Sequence, residues 1–174
     1  EWLNTYTFPT EIQFKDKKHA GEIAEFFLKQ LLKNGTTTAL VFGTVHPQSV
    51  EAFFEKAQEL NLRMICGKVM MDRNAPEDLL DTPTSSYEDS KQLIEKWHKK
   101  ERLLYAVTPR FAITSSSEQL QQAGKLLKEF PDVYLHTHLS ENKAEIALTK
   151  ELFPECENYL AVYEQANLLQ KRAV

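Results

Sequence analysis

The sequence predicts an α/β fold in which parallel strands alternate with helices. Two observations support this prediction. Four short apolar segments begin near Thr37, Leu62, Leu103 and Val133, and each interval has room for a strand, a connection and a helix. After each segment, apolar residues recur at the three- and four-residue spacing of an amphipathic helix. Consecutive βα units require right-handed crossovers, which place their strands in one parallel sheet.

The first half of the chain shows this alternation in order. Helical spacing begins at Ala20 and stops before Gly35, a residue typical of a helix C-terminus. Residues 37–42 are β-branched and apolar, and they predict a buried strand. Residues 47–60 then predict a helix that starts with a proline in its first turn. Residues 62–70 predict the second strand.

In the second half, two helix starts are indicated by capping boxes. Ser85 with Glu88, and Ser115 with Glu118, have the spacing in which a hydroxyl and a carboxylate satisfy free N–H groups of the first turn. The apolar pattern predicts two more strands, at residues 103–107 and 133–138, and two final helices, at residues 144–153 and 159–166.

A doubly wound sheet and a (β/α)₈ barrel both fit this alternation. A complete barrel takes about 250 residues, and the chain has 174. The barrel interpretation therefore treats the chain as four consecutive βα units of a (β/α)₈ TIM-type barrel, incomplete as given. No interdomain linker or repeat interrupts it, so residues 1–174 are expected to form a single partial domain.

Composition excludes several classes of function. The net charge is −4, which argues against a nucleic-acid-binding face, since such a face needs clustered basic residues. Two cysteines are too few for a disulfide scaffold. No apolar run approaches the roughly 20 residues needed to span a bilayer. We therefore expect a soluble, intracellular protein without nucleic-acid or membrane partners.

Reactive groups of parallel α/β folds collect at the carboxyl ends of the strands. After the first two strands, His46 and Gly67 stand at such ends. His46 is interpreted as a loop or helix-start residue, and Gly67 as a position where backbones approach closely. Away from the strand ends, His98 lies among lysines at a helix end and is expected to be solvated.

The third strand end places Arg110 directly before Phe111. Arginine offers a planar fork of donors and phenylalanine a flat apolar face. Together they suit a planar heterocycle that carries oxygen. The alternative is a surface arginine beside a phenylalanine packed under its own loop, and the local pattern does not decide between the two.

The fourth strand end carries His136, His138 and Glu141. Alternate strand residues face the same way, so the two imidazoles are expected on one side. A strand-end histidine that binds a metal, with a nearby carboxylate that carries protons, is the arrangement of metal-assisted hydrolysis. A His-X-His pair alone is weak evidence, because many such histidines belong to the core or the surface.

Three motifs together resemble one protein family. They are Gly-Lys-Val-Met-Met-Asp at residues 67–72, Thr-Pro-Arg-Phe at residues 108–111, and Leu-His-Thr-His-Leu-Ser-Glu-Asn at residues 135–142. In this order and spacing they resemble the guanine deaminase branch of the amidohydrolase superfamily. The resemblance extends over essentially the whole chain.

The resemblance implies a zinc-dependent (β/α)₈ enzyme that hydrolyses guanine to xanthine and ammonia. By this resemblance His138 is a metal ligand and Glu141 is the general acid and base. Arg110 contacts the carbonyl edge of the purine and Phe111 contacts its ring, whereas His136 has no ligand counterpart and is interpreted as structural. The resemblance also suggests a cytoplasmic homodimer.

The family's metal site needs more ligands than this chain supplies. It uses a His-X-His pair on the first barrel strand, a histidine on the sixth and an aspartate on the eighth, and none of these is present. We therefore expect a central fragment that lacks the first strand and strands six to eight. One imidazole cannot hold zinc usefully, so the fragment is expected to be inactive and metal-free. Its open sheet edges predict exposed apolar surface and association.

Two other functions stay open. Another aminohydrolase on the same scaffold would act on a pterin, an adenine derivative or a triazine. A noncatalytic α/β module would instead hold a planar ligand with Arg110 and Phe111. Strands in chain order, with His138 and Arg110 at one edge, favour the barrel enzyme, whereas reordered strands favour the binding module.

Overall fold

The computed structural model describes residues 2–174 and shows five strands and seven α-helices in that range. The strands are β1 (Thr38–Phe42), β2 (Arg63–Gly67), β3 (Val69–Met70), β4 (Leu104–Pro109) and β5 (Tyr134–Leu135). The helices are α1 (Phe8–Ile12), α2 (Lys17–Lys33), α3 (Pro47–Glu59), α4 (Pro83–Trp97), α5 (Ser117–Glu129), α6 (Lys143–Leu152) and α7 (Tyr159–Gln165). The alternation of strands and helices predicted from residue 20 onward is confirmed.

All strand pairs are parallel, and their order in the sheet follows the chain. β1 pairs with β2, with Thr38 opposite Arg63. Both β2 and β3 pair with β4, so β3 continues the line of β2 after a break at Lys68. β5 lies on the other side of β4, with Ala106 opposite Tyr134. Consecutive strands are therefore neighbours, as in a barrel segment and unlike a reordered doubly wound sheet.

Gly67, the last residue of β2, must be a glycine because the backbone of β4 passes very close to it. A Cβ atom at this position would stand 1.7 Å from the carbonyl oxygen of Ala106, which no side chain can occupy. The prediction that Gly67 permits a close backbone approach is confirmed. The predicted single strand over residues 62–70 is therefore divided in two.

The main core lies between the sheet and the outer helices. Phe54 of α3 stacks on Trp97 of α4, with ring centroids 5.5 Å apart. Met64, Tyr105 and Val107 are fully buried on the strands. Burial of each large apolar side chain stabilises the fold by about 1.5–3 kcal/mol, so this layer fixes the positions of the strand ends.

Both predicted capping boxes are wrong in position. α4 starts at Pro83, and its box joins Thr82 to Ser85, so the helix begins three residues earlier than expected. α5 is capped by Ser116, whose hydroxyl accepts from the N–H of Gln119. Ser115 instead is buried and donates to the carbonyl of Met70 at 3.3 Å. Ser115 is therefore bonded to the neighbouring strand β3, and Ser116 caps the helix.

The fourth predicted strand is shorter than expected, but its hydrogen bonds continue. After β5, the N–H of His136 donates to Val107 and that of His138 donates to Arg110. On the opposite side, Leu135 forms a parallel bridge with Ala173. The segment that holds the predicted site is therefore fixed from both sides.

β1 forms an open edge of the sheet. β1 is exposed at Thr38 and half-buried over the rest of its length, so the prediction of a fully buried strand is wrong. It pairs with β2 alone among the residues that the structure describes, which leaves its other edge uncovered.

No helix in the described range is long and apolar enough to cross a membrane.

Candidate active site

A cavity of about 570 Å³ opens at the carboxyl edge of β4 and β5. All four residues predicted to form the site line it: Arg110, Phe111, His138 and Glu141. The sheet brings them together because β4 and β5 are parallel neighbours whose carboxyl ends meet at the same edge. Its volume lies within the range of small-molecule sites, which is about 300–1,000 Å³.

His138 is held by both its backbone and its ring. Its N–H donates to the carbonyl oxygen of Arg110 at 3.1 Å, and ring Nδ1 lies 2.8 Å from the same oxygen. A carbonyl only accepts, so Nδ1 carries a proton, and in the neutral ring it is Nε2 that has the lone pair. This is the tautomer of a metal-binding histidine, which donates its second ring N–H to a carbonyl or carboxylate.

Phe42, the last residue of β1, packs against both histidines of the motif. Its ring centroid lies 3.8 Å from that of His136 and 4.6 Å from that of His138. The prediction that the two imidazoles share one side agrees with this contact. Burial, and then the neighbouring His138, lower the pKa of His136 to about 4, so this ring is neutral near pH 7.

Arg110 has a partner that the sequence pattern does not reveal. Its Nη1 donates to both carboxylate oxygens of Glu11 in α1, at 2.9 and 2.8 Å. The guanidinium also lies 5.6 Å from the ring centroid of Phe8. Glu11 and Arg110 are 99 residues apart, and no motif marks Glu11. Only the tertiary structure identifies this pair.

Glu141 is exposed where the chain turns from β5 into α6. Ser140 before it adopts a left-handed backbone, with φ of 56°, which ends the extended segment. Asn142 after it caps α6 and accepts from the N–H of Glu145 at 2.9 Å. The carboxylate of Glu141 is thus placed at the cavity by a turn and a helix cap on either side of it.

Sequence reasoning also missed two residues near the cavity. Glu145 lines it and is 4% exposed, and its Oε1 has no hydrogen-bond partner in the described part of the chain. Tyr163 of α7 donates to the carbonyl of His138 at 2.7 Å and accepts from the N–H of Ala112 at 3.0 Å. Burial raises the pKa of Tyr163, so its hydroxyl keeps the proton that it donates. Tyr163 therefore ties the two strand ends of the site together.

The remaining histidines lie outside this cavity. His46 is the residue before α3, as expected of a helix start, and burial followed by Lys15 lowers its pKa. His98 is not solvated as predicted, because its side chain is only 7% exposed. Its Nδ1 accepts from the backbone N–H of Tyr105, which places the ring under the start of β4.

No cluster of three or more histidine, cysteine, aspartate or glutamate side chains among residues 2–174 is arranged to hold a metal ion. His138 has the tautomer of a ligand, but the described residues do not complete a ligand set around it. A protein zinc site ordinarily uses three or four ligands. The chain by itself does not fit a zinc ion.

Parallel strands in chain order, with a cavity at their carboxyl edge, define a segment of a (β/α)₈ barrel. The model of the Amidohydrolase family matches residues 1–174. The chain belongs to the amidohydrolase family.

Within this family, the chain is similar to guanine deaminases. It is 63% identical to "Guanine deaminase" of Escherichia coli over all 174 residues, which cover 40% of that protein. The solved E. coli structure superposes with a TM-score of 0.97 at 62% identity, over 98% of this chain and 40% of that one.

A second solved structure is described as guanine deaminase from C. acetobutylicum with guanine bound in its active site. It superposes with a TM-score of 0.94 at 34% identity, over 98% of this chain and 41% of that one. These similarities confirm the predicted fold class of a partial TIM-type barrel. The chain spans about 40% of the length of the E. coli relative that it matches.

Proposed function

We propose that this chain is part of a metal-dependent aminohydrolase that converts guanine and water to xanthine and ammonia. The observation that carries the proposal is the convergence of Arg110, Phe111, His138 and Glu141 on one cavity at the carboxyl edge of the sheet. Similarity to guanine deaminases supports guanine as the substrate.

Arg110 and Phe111 are the proposed purine contacts. Nη1 of Arg110 is engaged by Glu11, so Nε and Nη2 remain to donate to a carbonyl oxygen on the ring. Phe111 lies at the same cavity and offers an apolar face to the heterocycle. Together they orient the ring so that its amine-bearing carbon faces the attacking water.

His138 is the proposed metal ligand, through Nε2. Zinc, when bound, supplies a Lewis acid that makes water a better nucleophile near neutral pH. Because this chain supplies one such ligand, we propose that the others come from residues outside it, and that the isolated chain neither retains zinc nor turns over guanine.

Glu141 is the proposed proton carrier. It takes a proton from the attacking water as the C–O bond forms and gives it to the ring nitrogen, and it then carries the second proton of that water to the amine as the C–N bond breaks. The exposed position of Glu141 at the cavity supports this role, since the carboxylate is free to face the substrate first and the leaving group later.

We also propose, from the family resemblance, that residues 1–174 are one partial barrel domain of a cytoplasmic homodimer. Size-exclusion chromatography with light scattering on the complete protein tests the dimer. A monomer at micromolar concentration contradicts it.

The test of function compares guanine with a pterin, an adenine derivative and a triazine as substrates of the complete protein that contains this chain. Guanine is expected to be deaminated with the highest kcat/KM. Glu141→Gln is expected to lower kcat by about 10²–10⁴-fold with little change in guanine binding, since it removes only the proton transfer. Released ammonia and the ultraviolet spectrum of the product measure turnover.

The matched control is Glu151→Gln, the same exchange at an exposed position of α6. It is expected to leave kcat unchanged. Preferred turnover of another heterocycle would assign the chain to a different aminohydrolase. If guanine binds but is never deaminated, and Glu141→Gln changes nothing, the chain belongs to a binding module and the proposal is wrong.

A further inference from the structure

The contact between Glu11 and Arg110 has an unusual form. Arginine and a carboxylate commonly pair through two parallel N–H···O bonds from two nitrogens. Here both oxygens of Glu11 accept from one nitrogen, Nη1. Nε and Nη2 of Arg110 make no hydrogen bond to the described residues. The pair therefore leaves most of the donor fork unused.

The unused donors and the carboxylate lie on different sides of the guanidinium. Arg110 lines the 570 Å³ cavity, but Glu11 does not. Glu11 lines a neighbouring apolar cavity of about 350 Å³, together with Phe42. Glu11 thus contacts Arg110 without belonging to the lining of the site cavity. The side chains of Arg110 and Glu11 are 15% and 19% exposed, so solvent screens their interaction only partly.

The charges around the site do not favour an anion. Arg110 is the one lysine or arginine among the described residues that line the cavity, and Glu11 neutralises it. The other acidic side chains there are Glu141 and Glu145. A negatively charged ring at the free edge of Arg110 would meet these carboxylates and the one behind the guanidinium. A neutral ring would meet only the hydrogen-bond donors.

We infer that Glu11 is a positioning residue that makes this cavity selective for uncharged heterocycles with a ring carbonyl and against anionic ones. It acts through Arg110, by fixing Nη1 and cancelling the charge while leaving Nε and Nη2 free. The inference rests on the proposed function, because it assumes that the cavity binds the purine substrate.

The experiment uses two purine inhibitors of guanine turnover, hypoxanthine, which is neutral, and urate, which is a monoanion near neutral pH. The complete, metal-loaded protein is assayed, and the measured quantity is the ratio of the Ki of urate to the Ki of hypoxanthine. Glu11→Gln keeps the shape and an acceptor but removes the charge. It is expected to lower this ratio about tenfold, because a like charge near the bound urate is gone.

Two variants serve as controls. Glu11→Asp keeps the charge, and Glu22→Gln removes a carboxylate that is 66% exposed on α2. Both are expected to keep the Ki ratio within about twofold of the wild-type value, since neither removes the charge behind Arg110. Any metal ion contributes equally to the variant and the wild type, so the change in the ratio reports Glu11 alone.

The outcomes separate this inference from the proposed function. A folded Glu11→Gln protein with an unchanged ratio overturns the inference, even if guanine is turned over normally. If Glu11→Gln does not fold, Glu11→Asn, which also removes the charge, is measured instead: a Ki ratio about tenfold below the wild-type value supports the inference, and an unchanged ratio overturns it. A wild-type protein that neither binds nor deaminates guanine overturns the proposed function itself.

Discussion

Helices α5 and α6 follow neighbouring strands, yet they bury opposite kinds of residue. α5 buries a continuous apolar face that includes Leu120, Leu126 and Leu127. α6 buries only Glu145 and Thr149, and its apolar residues are largely exposed, Ile146 by 43% and Leu148 by 39%. An amphipathic helix normally buries its apolar face against the core.

This difference indicates that α5 contributes mainly to core packing and α6 mainly to the lining of the cavity. α5 packs against β4, the strand that precedes Arg110. α6 lends little packing and instead lines the cavity with Ala144, Glu145 and Leu148. Buried apolar packing is therefore concentrated on the β4 side of the site, whereas the proposed metal ligand and proton carrier follow β5. Four substitutions test this division.

The largest effect on stability is expected from shortening one leucine on each helix. Leu126→Ala in α5 is expected to lower the free energy of unfolding by about 2–5 kcal/mol, because it leaves a cavity in a packed core. Leu148→Ala in α6 is expected to cost less than about 1 kcal/mol. Urea unfolding followed by circular dichroism measures both.

Equal losses of unfolding free energy in Leu126→Ala and Leu148→Ala would contradict this contrast between α5 and α6. They would mean that residues outside this chain cover α6 in the complete protein, so that its apolar side chains are part of a core after all.

An intermediate effect on stability and activity is expected at Tyr163, which connects the ends of β4 and β5. Tyr163→Phe removes the hydroxyl that links Ala112 to His138. Leaving these backbone groups without a partner is expected to cost about 1–3 kcal/mol of stability. The kcat/KM for guanine is expected to fall about tenfold to a hundredfold, because the two strand ends lose their common anchor.

The control for this substitution is Tyr6→Phe, at a ring that is 65% exposed. It is expected to change neither quantity. If Tyr163→Phe lowers stability without changing kcat/KM, the hydroxyl supports the fold but does not position the site.

The smallest expected effect is on the pH dependence of stability, and it concerns His98, which lies under the start of β4. Burial, and then the charges of Lys99 and Arg172, lower the pKa of His98 to about 4. An unfolded histidine titrates near pH 6.5, so between about pH 6.5 and 4 the unfolded state binds more protons than the native state. Stability is therefore lost as the pH falls through this window.

The substitution His98→Gln is expected to lower the slope of unfolding free energy against pH by up to one proton. Gln can still accept the hydrogen bond from the N–H of Tyr105. Unfolding midpoints measured at several pH values between 4 and 7 report the slope. An unchanged slope would show that His98 does not titrate with unfolding. His136 and His46 also have lowered pKa values, so some acid sensitivity is expected to remain.

Much of this fold could be predicted because its signals are local. The helical spacing before Gly35 and the β-branched run that became β1 lie within short stretches of chain. The rule that reactive groups follow parallel strands then placed Arg110 and His138 at one edge, where both line the cavity. Capping was less predictable, since Ser115 and Ser116 are chemically alike and only tertiary contacts distinguish them: Ser115 donates to Met70, whereas Ser116 donates to Asp72 and caps α5.

The sequence by itself determined the alternation of strands and helices, the parallel direction of the strands and the four residues that follow β4 and β5, but not the order of the strands in the sheet. Periodicity and spacing encode these, because the backbone must satisfy its hydrogen bonds locally or with the next strand. Only the tertiary structure decided that Glu11 neutralises Arg110, that Tyr163 joins the two strand ends and that α6 buries a carboxylate. These contacts join residues far apart in the chain, and packing, which no local pattern records, brings them together.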